Sequence, residues 1–220
     1  MTINFEQARK NMVKNQVRAW EVLEPRVLAI LDRIPRELFV PAPYAALAYA
    51  DLALPLEHGE KMIKPVVEGR ALQALALDGN ESVLEIGTGS GYLTACLAEL
   101  GREVLSVELH QDFVTRARQH LAAIGNSHAE VVCSEAVHDF DPGSRRFDAI
   151  LVGGAVADIP ERFLSWLNPG GRLFAVRGVE PVMHAVLIRN SGSARFTEQP
   201  LFETDLPYLA HAAAVAHFEL

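Results

Sequence analysis

The run Val83-Leu84-Glu85-Ile86-Gly87-Thr88-Gly89-Ser90-Gly91-Tyr92 constrains the fold of this chain more than any other stretch. It joins a short apolar strand to an acid, three closely spaced glycines and a segment with helical periodicity, the pattern of a nucleotide-binding turn. Val83, Leu84 and Ile86 suit a strand buried in a parallel sheet. Gly87, Gly89 and Gly91, with Thr88 and Ser90 between them, permit positive φ and leave the main chain bare for a ligand. Tyr92 to Leu100 reads as a helix with Leu93, Cys96, Leu97 and Leu100 on one face. Its first amides point back at the turn.

Spacing narrows the ligand. A dinucleotide turn, G-x-G-x-x-G, needs its third glycine at position 92, where Tyr92 stands. A P-loop needs Gly-Lys-Ser/Thr after a longer gap, and the chain has no such run. Instead Glu85 stands two residues before the first glycine, where a strand-end carboxylate can receive a cation such as an amino acid's ammonium. Acid-x-G-x-G-x-G resembles the first motif of S-adenosylmethionine-dependent methyltransferases.

Two further strand ends carry acids. Glu103 to Glu108 reads as a strand ending in Glu108, followed by Leu109, and an acid there can accept both hydroxyls of a ribose from either nucleotide class. Ala129 to Cys133 reads as a third strand with Glu135 and Ala136 just beyond it, where the carboxylate can accept from an adenine amino group. Three acids suit ammonium, ribose diol and adenine, whereas a pyrophosphate would be repelled.

The chain has 220 residues, half of them hydrophobic, enough for one large α/β core with an appendage. Its net charge of −8 offers no broad basic footprint for nucleic acid. No apolar run approaches bilayer length and no secretory leader is evident, so the expected setting is the cytoplasm, with no membrane partner. Cys96 and Cys133 are expected as reduced, buried thiols. The eight histidines show no metal-ligand spacing, so no metal is assigned, and His58, beside Gly59 near the ligand entrance, is the one of interest.

Phe5, Ala8, Met12, Val13, Val17 and Trp20 mark the apolar face of a first helix, opposite Arg9, Lys10, Lys14 and Arg18, and this helix is expected to dock on its own domain. Helices follow over 25–34 and 65–77. Strand and helix then alternate: a helix near 111–124, a strand at 147–152, a helix at 161–167, a turn at 168–171 and a strand at 172–176. Further strand candidates lie at 183–189 and 211–218. This βαβ rhythm implies an α/β fold, a doubly wound, mostly parallel sheet with ligands at the carboxyl ends of its strands. Residues 1–78 form an N-terminal helical and substrate-loop extension, packed as one unit with a cofactor-binding core over 79–220.

Seven segments in order carry a closer resemblance. They are Arg36-Glu37-Leu38-Phe39-Val40-Pro41, Ala48-Tyr49-Ala50-Asp51, Leu54-Pro55-Leu56 with His58-Gly59, the 83–92 run, Phe147-Asp148-Ala149-Ile150, Ile159-Pro160 and Gly170-Gly171-Arg172-Leu173. Together they resemble the protein-L-isoaspartate O-methyltransferases. The resemblance implies a Rossmann-like fold, S-adenosylmethionine as cofactor, and methylation of the α-carboxylate of L-isoaspartyl residues in damaged proteins or peptides. It also implies repair, since the ester closes to a succinimide whose hydrolysis restores some aspartate. A carboxylate is already ionised at neutral pH, so the transfer needs alignment rather than a base or metal.

The resemblance breaks where the acceptor should sit. The family carries Thr-Ile-Ser before the proline matching Pro65, with the serine hydroxyl at the acceptor carboxylate; here Lys61-Met62-Ile63 lies over that triplet. Ile63 cannot donate a hydrogen bond, so Lys61 or Lys64 is expected to replace the contact. Gly-Asp-Gly of the family is Ser134-Glu135-Ala136, and Pro-Val-Gly is Val176-Arg177-Gly178. Two other readings stay open: a methyltransferase of the same fold acting on a different carboxylate or a small molecule, and a non-catalytic module that keeps the cofactor pocket.

Overall fold

The computed structural model describes residues 3–192 and 195–214. Helix α1 spans Phe5–Met12, its N-terminus capped by Asn4, whose side chain accepts from the Gln7 amide at 3.0 Å. The chain winds on through a π-helical turn, Val13–Val17, and a 3-10 turn, Arg18–Trp20, and stops at Glu21 with φ at 62°. The single stripe expected from Phe5 to Trp20 therefore drifts. The changes of pitch keep Met12 and Val17 buried but turn Trp20 to solvent, 49 % exposed.

α2 (Pro25–Arg33) buries Val27, Ile30 and Leu31. α3 (Pro65–Leu75) stops two residues before its expected end because Ala76 takes a left-handed conformation, φ 47°. Between them β1 (Leu54–Pro55) and β2 (Lys61–Met62) form an antiparallel ribbon that pairs Leu54 with Met62 and Pro55 with Lys61. Two-residue strands, one holding a proline, are too short to show as a sequence pattern.

The rest is one seven-stranded sheet. In chain order its elements are β3 (Ser82–Ile86), α4 (Tyr92–Leu100), β4 (Glu103–Glu108), α5 (Gln111–Ala123), β5 (Ala129–Cys133), β6 (Phe147–Val156), α6 (Glu161–Ser165), β7 (Leu167–Val179), β8 (Val182–Asn190) and β9 (Phe196–Glu203). The spatial order is β5-β4-β3-β6-β7-β8-β9. β5 through β7 run parallel, and β8 and β9 are added antiparallel, so the sheet is doubly wound and mostly parallel. β3 lies at the topological switch: the chain steps outward from β3 through β4 to β5, then crosses back to β6 on the other side of β3. Successive residues of β3 face opposite layers: Val83 joins the core that includes Met12, Leu31 and Leu97, and Leu84 and Ile86 join the one around Phe147 and Phe163. The N-terminal helices thus share one apolar layer with α4.

Several boundaries differ for identifiable reasons. The expected turn at 168–171 is absorbed into β7 as a bulge: Leu167 pairs with Phe147 and Arg172 with Ala149, leaving four residues between. β9 escaped the sequence reading because it is an edge strand with Pro200 inside it and an almost wholly exposed first half. The candidate strand at 211–218 is not one over 211–214, which form turn and bend; residues 215–218 lie outside the described set. Cys96 is buried as expected, but Cys133 is exposed because it ends the edge strand β5. Among the described residues no helix is long and apolar enough to cross a membrane, and no group of three or more His, Cys, Asp or Glu could hold a metal ion.

Candidate cofactor and acceptor cavity

A cavity opens at the carboxyl ends of β3, β4 and β6, with a volume near 950 Å³ including its mouth. Gly87, Thr88, Gly89 and Ser90 form its floor, Glu108, Leu109 and His110 one wall, and Ser134, Glu135, Ala136 and Val137 another. Lys61, Met62 and Ile63 of the β2 segment close the third side. The cofactor-side and acceptor-side residues named from the sequence therefore meet around one space, with three exceptions.

Glu85 is the first. Expected at an ammonium group, it instead lies fully buried beneath the glycine turn and does not reach the cavity wall. Its Oε2 accepts from Thr94 Oγ1 and Ser106 Oγ, both at 2.5 Å, and Oε1 has no partner. Burial pushes its carboxyl up to about 8, against the two hydroxyls that favour the charged form. Ser106 Oγ also lies 2.5 Å from Thr88 Oγ1, so Glu85 anchors the turn from below.

Gly91 is the second. A Cβ there would lie 3.0 Å from Ala117 Cβ, so the missing side chain admits α5 rather than a ligand. Gly89 does face the cavity: with φ at 52° it turns its amide onto Glu108 Oε2 at 2.8 Å. Lys64 is the third. It precedes α3, points its Nζ at Asp205 Oδ1 3.3 Å away, and stands outside the lining.

The two remaining acids are held in place by main chain. Glu108 Oε1 accepts from the His110 amide at 2.9 Å, which fixes the carboxylate at the end of β4. Glu135 accepts from the amides of Val137 and His138, both at 2.7 Å, a turn-forming contact that orients it while leaving lone pairs free. Each still has acceptor capacity toward the cavity.

The acceptor side is organised by Arg36, whose structural part the sequence reading missed. It is wholly buried; its Nε donates to Ala48 O at 3.0 Å, Nη2 to Ile63 O at 2.7 Å, and Nη1 to the buried Glu68 carboxylate. Its guanidinium lies 4.8 Å from the centroid of the Tyr92 ring. Burial works against the charge, but Glu68 holds the guanidinium above its ordinary range. One side chain thus ties the Arg36–Pro41 motif to the Ala48–Asp51 motif and to the β2 segment. Likewise Asp148 accepts from the Ser82 amide at 2.9 Å and from Asn168 Nδ2 at 2.7 Å, and Arg172 pairs with Glu81 at 2.7 Å.

Two parts of the wall had no sequence signal strong enough to read. After β9 the chain turns back across the end of β6: Ala155 N donates to Pro207 O at 2.7 Å, and Leu209 N to Ala155 O at 2.9 Å. A Cβ at Gly154 would meet Leu209 Cδ2 at 2.9 Å, and a Cβ at Gly153 would meet Gly87 O at 2.7 Å. The Gly153-Gly154 pair after a predicted strand was the available clue. His58 is not in the lining; it stacks on the cavity residue His110 with centroids 3.9 Å apart and lies 3.0 Å from Asp112 Oδ1.

The family model for protein-L-isoaspartate(D-aspartate) O-methyltransferase matches residues 7–199. The chain belongs to this family. A protein-L-isoaspartate O-methyltransferase of Methanoculleus marisnigri is 39 % identical over 185 residues, 84 % of each chain. One from Syntrophus aciditrophicus is 40 % identical over 173 residues, 79 % of each. A solved Plasmodium falciparum chain in complex with S-adenosyl-L-homocysteine shares the fold, with TM-score 0.79 at 17 % identity, covering 94 % of this chain and 99 % of that one. The cofactor of protein-L-isoaspartate O-methyltransferases is S-adenosylmethionine. The cavity fits such a group: it has a bare glycine floor and two carboxylates, Glu108 and Glu135, held by main-chain amides with acceptor capacity to spare.

Proposed function

We propose that this chain methylates the α-carboxylate of L-isoaspartyl residues in damaged proteins or peptides, with Lys61 as the contact that replaces the family's serine. What carries the reading is the continuity of the cavity from the glycine floor to Lys61 and Ile63, with Arg36 joining the family's motifs behind it. When bound, S-adenosylmethionine supplies a methyl group on a cationic sulfur that departs as a neutral thioether.

The protein's own part is alignment. Glu108 accepts from the ribose hydroxyls, Glu135 from the adenine amino group, and the amides around Gly89 line the floor. Leu56, Met62, Ile63 and Leu93 present apolar walls that exclude water from the acceptor. Lys61, exposed at the rim, receives the incoming carboxylate as a charge-assisted donor, while Lys64 is engaged by Asp205. An ionised oxygen held in line with the methyl carbon needs no general base.

The test is incorporation of base-labile methyl groups from S-adenosylmethionine into an isoaspartyl peptide, set beside its normal aspartyl twin. Methylation of the isoaspartyl form alone is expected. Tight cofactor binding without incorporation would reject this acceptor and favour one of the two alternative readings.

A further inference from the structure

Two asparagines of this chain stand before a serine, in Asn126-Ser127 and Asn190-Ser191. Isoaspartate arises at such pairs. The following amide nitrogen attacks the side-chain carbonyl carbon, ammonia leaves, and water opens the resulting succinimide to aspartate or isoaspartate. As dipeptides the two pairs are equal, so a difference between them comes from the fold. At both, the side-chain oxygen accepts from an amide two residues on, His128 N at 3.1 Å and Gly192 N at 3.0 Å, which polarises the carbonyl under attack.

The two nitrogens that must react are held differently. At position 190 the Ser191 amide donates to Arg195 O at 2.8 Å, and the leaving nitrogen, Asn190 Nδ2, donates to Leu167 O at 3.3 Å. At position 126 the leaving Nδ2 is closed off from solvent with no hydrogen-bond partner among the described residues, and among them the Ser127 amide donates to none. Expelling ammonia there breaks no protein hydrogen bond and removes a buried, unsatisfied donor, whereas position 190 must give up two contacts. Asp78-Gly79, the pair whose glycine leaves the amide most open, is held as well, since Gly79 N donates to Glu81 Oε2 at 3.1 Å.

Asn126 closes the far end of α5, where the Gly125 amide donates to Ala122 O at 3.0 Å and its own amide to Leu121 O at 2.9 Å. The near end of that helix follows His110 in the cavity wall, and its 13 residues set the turn about 20 Å away. A folded chain therefore does not bring this turn to its own cavity, while Ser127 and His128 are exposed to another molecule. We propose that Asn126 is the point at which this protein itself deamidates, and that the isoaspartyl residue formed there is methylated by a second copy of the enzyme. The methyl group passes from the sulfonium to the α-carboxylate oxygen, leaving the thioether; the Ser127 nitrogen then attacks the ester carbon and methanol departs, which regenerates the succinimide.

The methylation step rests on the isoaspartyl reading of the proposed function, and the damage step does not. The test ages wild-type protein at mildly alkaline pH without S-adenosylmethionine, once folded and once unfolded in guanidinium, and maps isoaspartate in the tryptic peptides 119–145 and 190–195, each of which holds one asparagine. In the folded protein damage at 126 should outrun damage at 190 by roughly tenfold, the rate equivalent of one hydrogen bond, and in guanidinium the two rates should converge. Fresh enzyme with methyl-labelled S-adenosylmethionine should then place base-labile label on the aged chain. Asn126→Gly, whose glycine suits a helix end, should take up far less label after the same ageing.

Equal damage at 126 and 190 in the folded protein would overturn the proposal, as would undiminished label in Asn126→Gly. Should that variant fail to fold, the wild-type ratio decides. Preferential damage at 126, with methylation of an isoaspartyl reference peptide but not of the aged chain, would reject the self-substrate step alone. Methylation of neither would reject the isoaspartyl function itself.

Discussion

Arg36 and Glu68 form an ion pair with both side chains closed off from solvent, directly behind the Ile63 carbonyl. Removing one partner leaves the other charge buried and unmatched. Arg36→Ala should therefore cost about 3–5 kcal/mol of stability, read from urea unfolding. Arg36→Met combined with Glu68→Leu should cost clearly less, since no charge is then stranded. Equal losses for the two proteins would assign the effect to lost packing.

Glu85 predicts a pH dependence. Its carboxyl stands at about 8 in the fold against an ordinary value of 4.5, so between those values the folded state keeps a proton that the unfolded state has released. Its contribution is complete below about pH 4.5 and is lost as pH rises through 8, with a slope of up to about 1.4 kcal/mol per pH unit. Glu85→Gln should flatten the thermal midpoint relative to wild type across that interval. Parallel midpoint curves for the two proteins would contradict a buried neutral acid.

Lys61 and Lys64 separate cleanly. Lys61→Ala should lower kcat/KM for an isoaspartyl peptide by a factor equivalent to about 1.5–3 kcal/mol, with cofactor affinity unchanged. Lys64→Ala, losing only a contact to the exposed Asp205, should stay near wild type. A reversed pattern would move the acceptor contact to Lys64, and full activity in both would leave the lost hydroxyl without a replacement.

For Glu108, replacement by alanine should weaken cofactor binding by about 1–3 kcal/mol, the value of hydrogen bonds to a charged acceptor. The variant also frees the Gly89 and His110 amides, so calorimetry should be paired with a melting curve. An unaltered Kd would remove Glu108 from the ribose contact.

Much of this was legible because its physics is local. The apolar run of β3, the glycines behind it and the acid closing β4 each follow from spacing along a few residues, and the structure gathers their ends around one cavity. Glu85 shows where such reasoning stops. Its place at a strand end marks it as a ligand group, but whether the side chain points up to the cavity or down to Thr94 and Ser106 depends on two hydroxyls 9 and 21 residues away. The motifs around Arg36, Tyr49, Asp148 and Arg172 likewise served only as a signature. Their shared purpose, binding loop to strand to helix through buried side chains, depends on contacts as distant as the 97 residues between Arg172 and Leu75.

The return of residues 207–209 across the end of β6 has a consequence for biosynthesis. Because residues 207–209, made after the glycine turn, supply a wall beside Gly87 and Gly154, a nascent polypeptide emerging from the ribosome has its glycine floor well before it has a finished receptacle for the nucleoside. Completion of the receptacle is thereby deferred until residues 207–209 have emerged, and a product truncated before them would carry the signature motifs without a finished cavity.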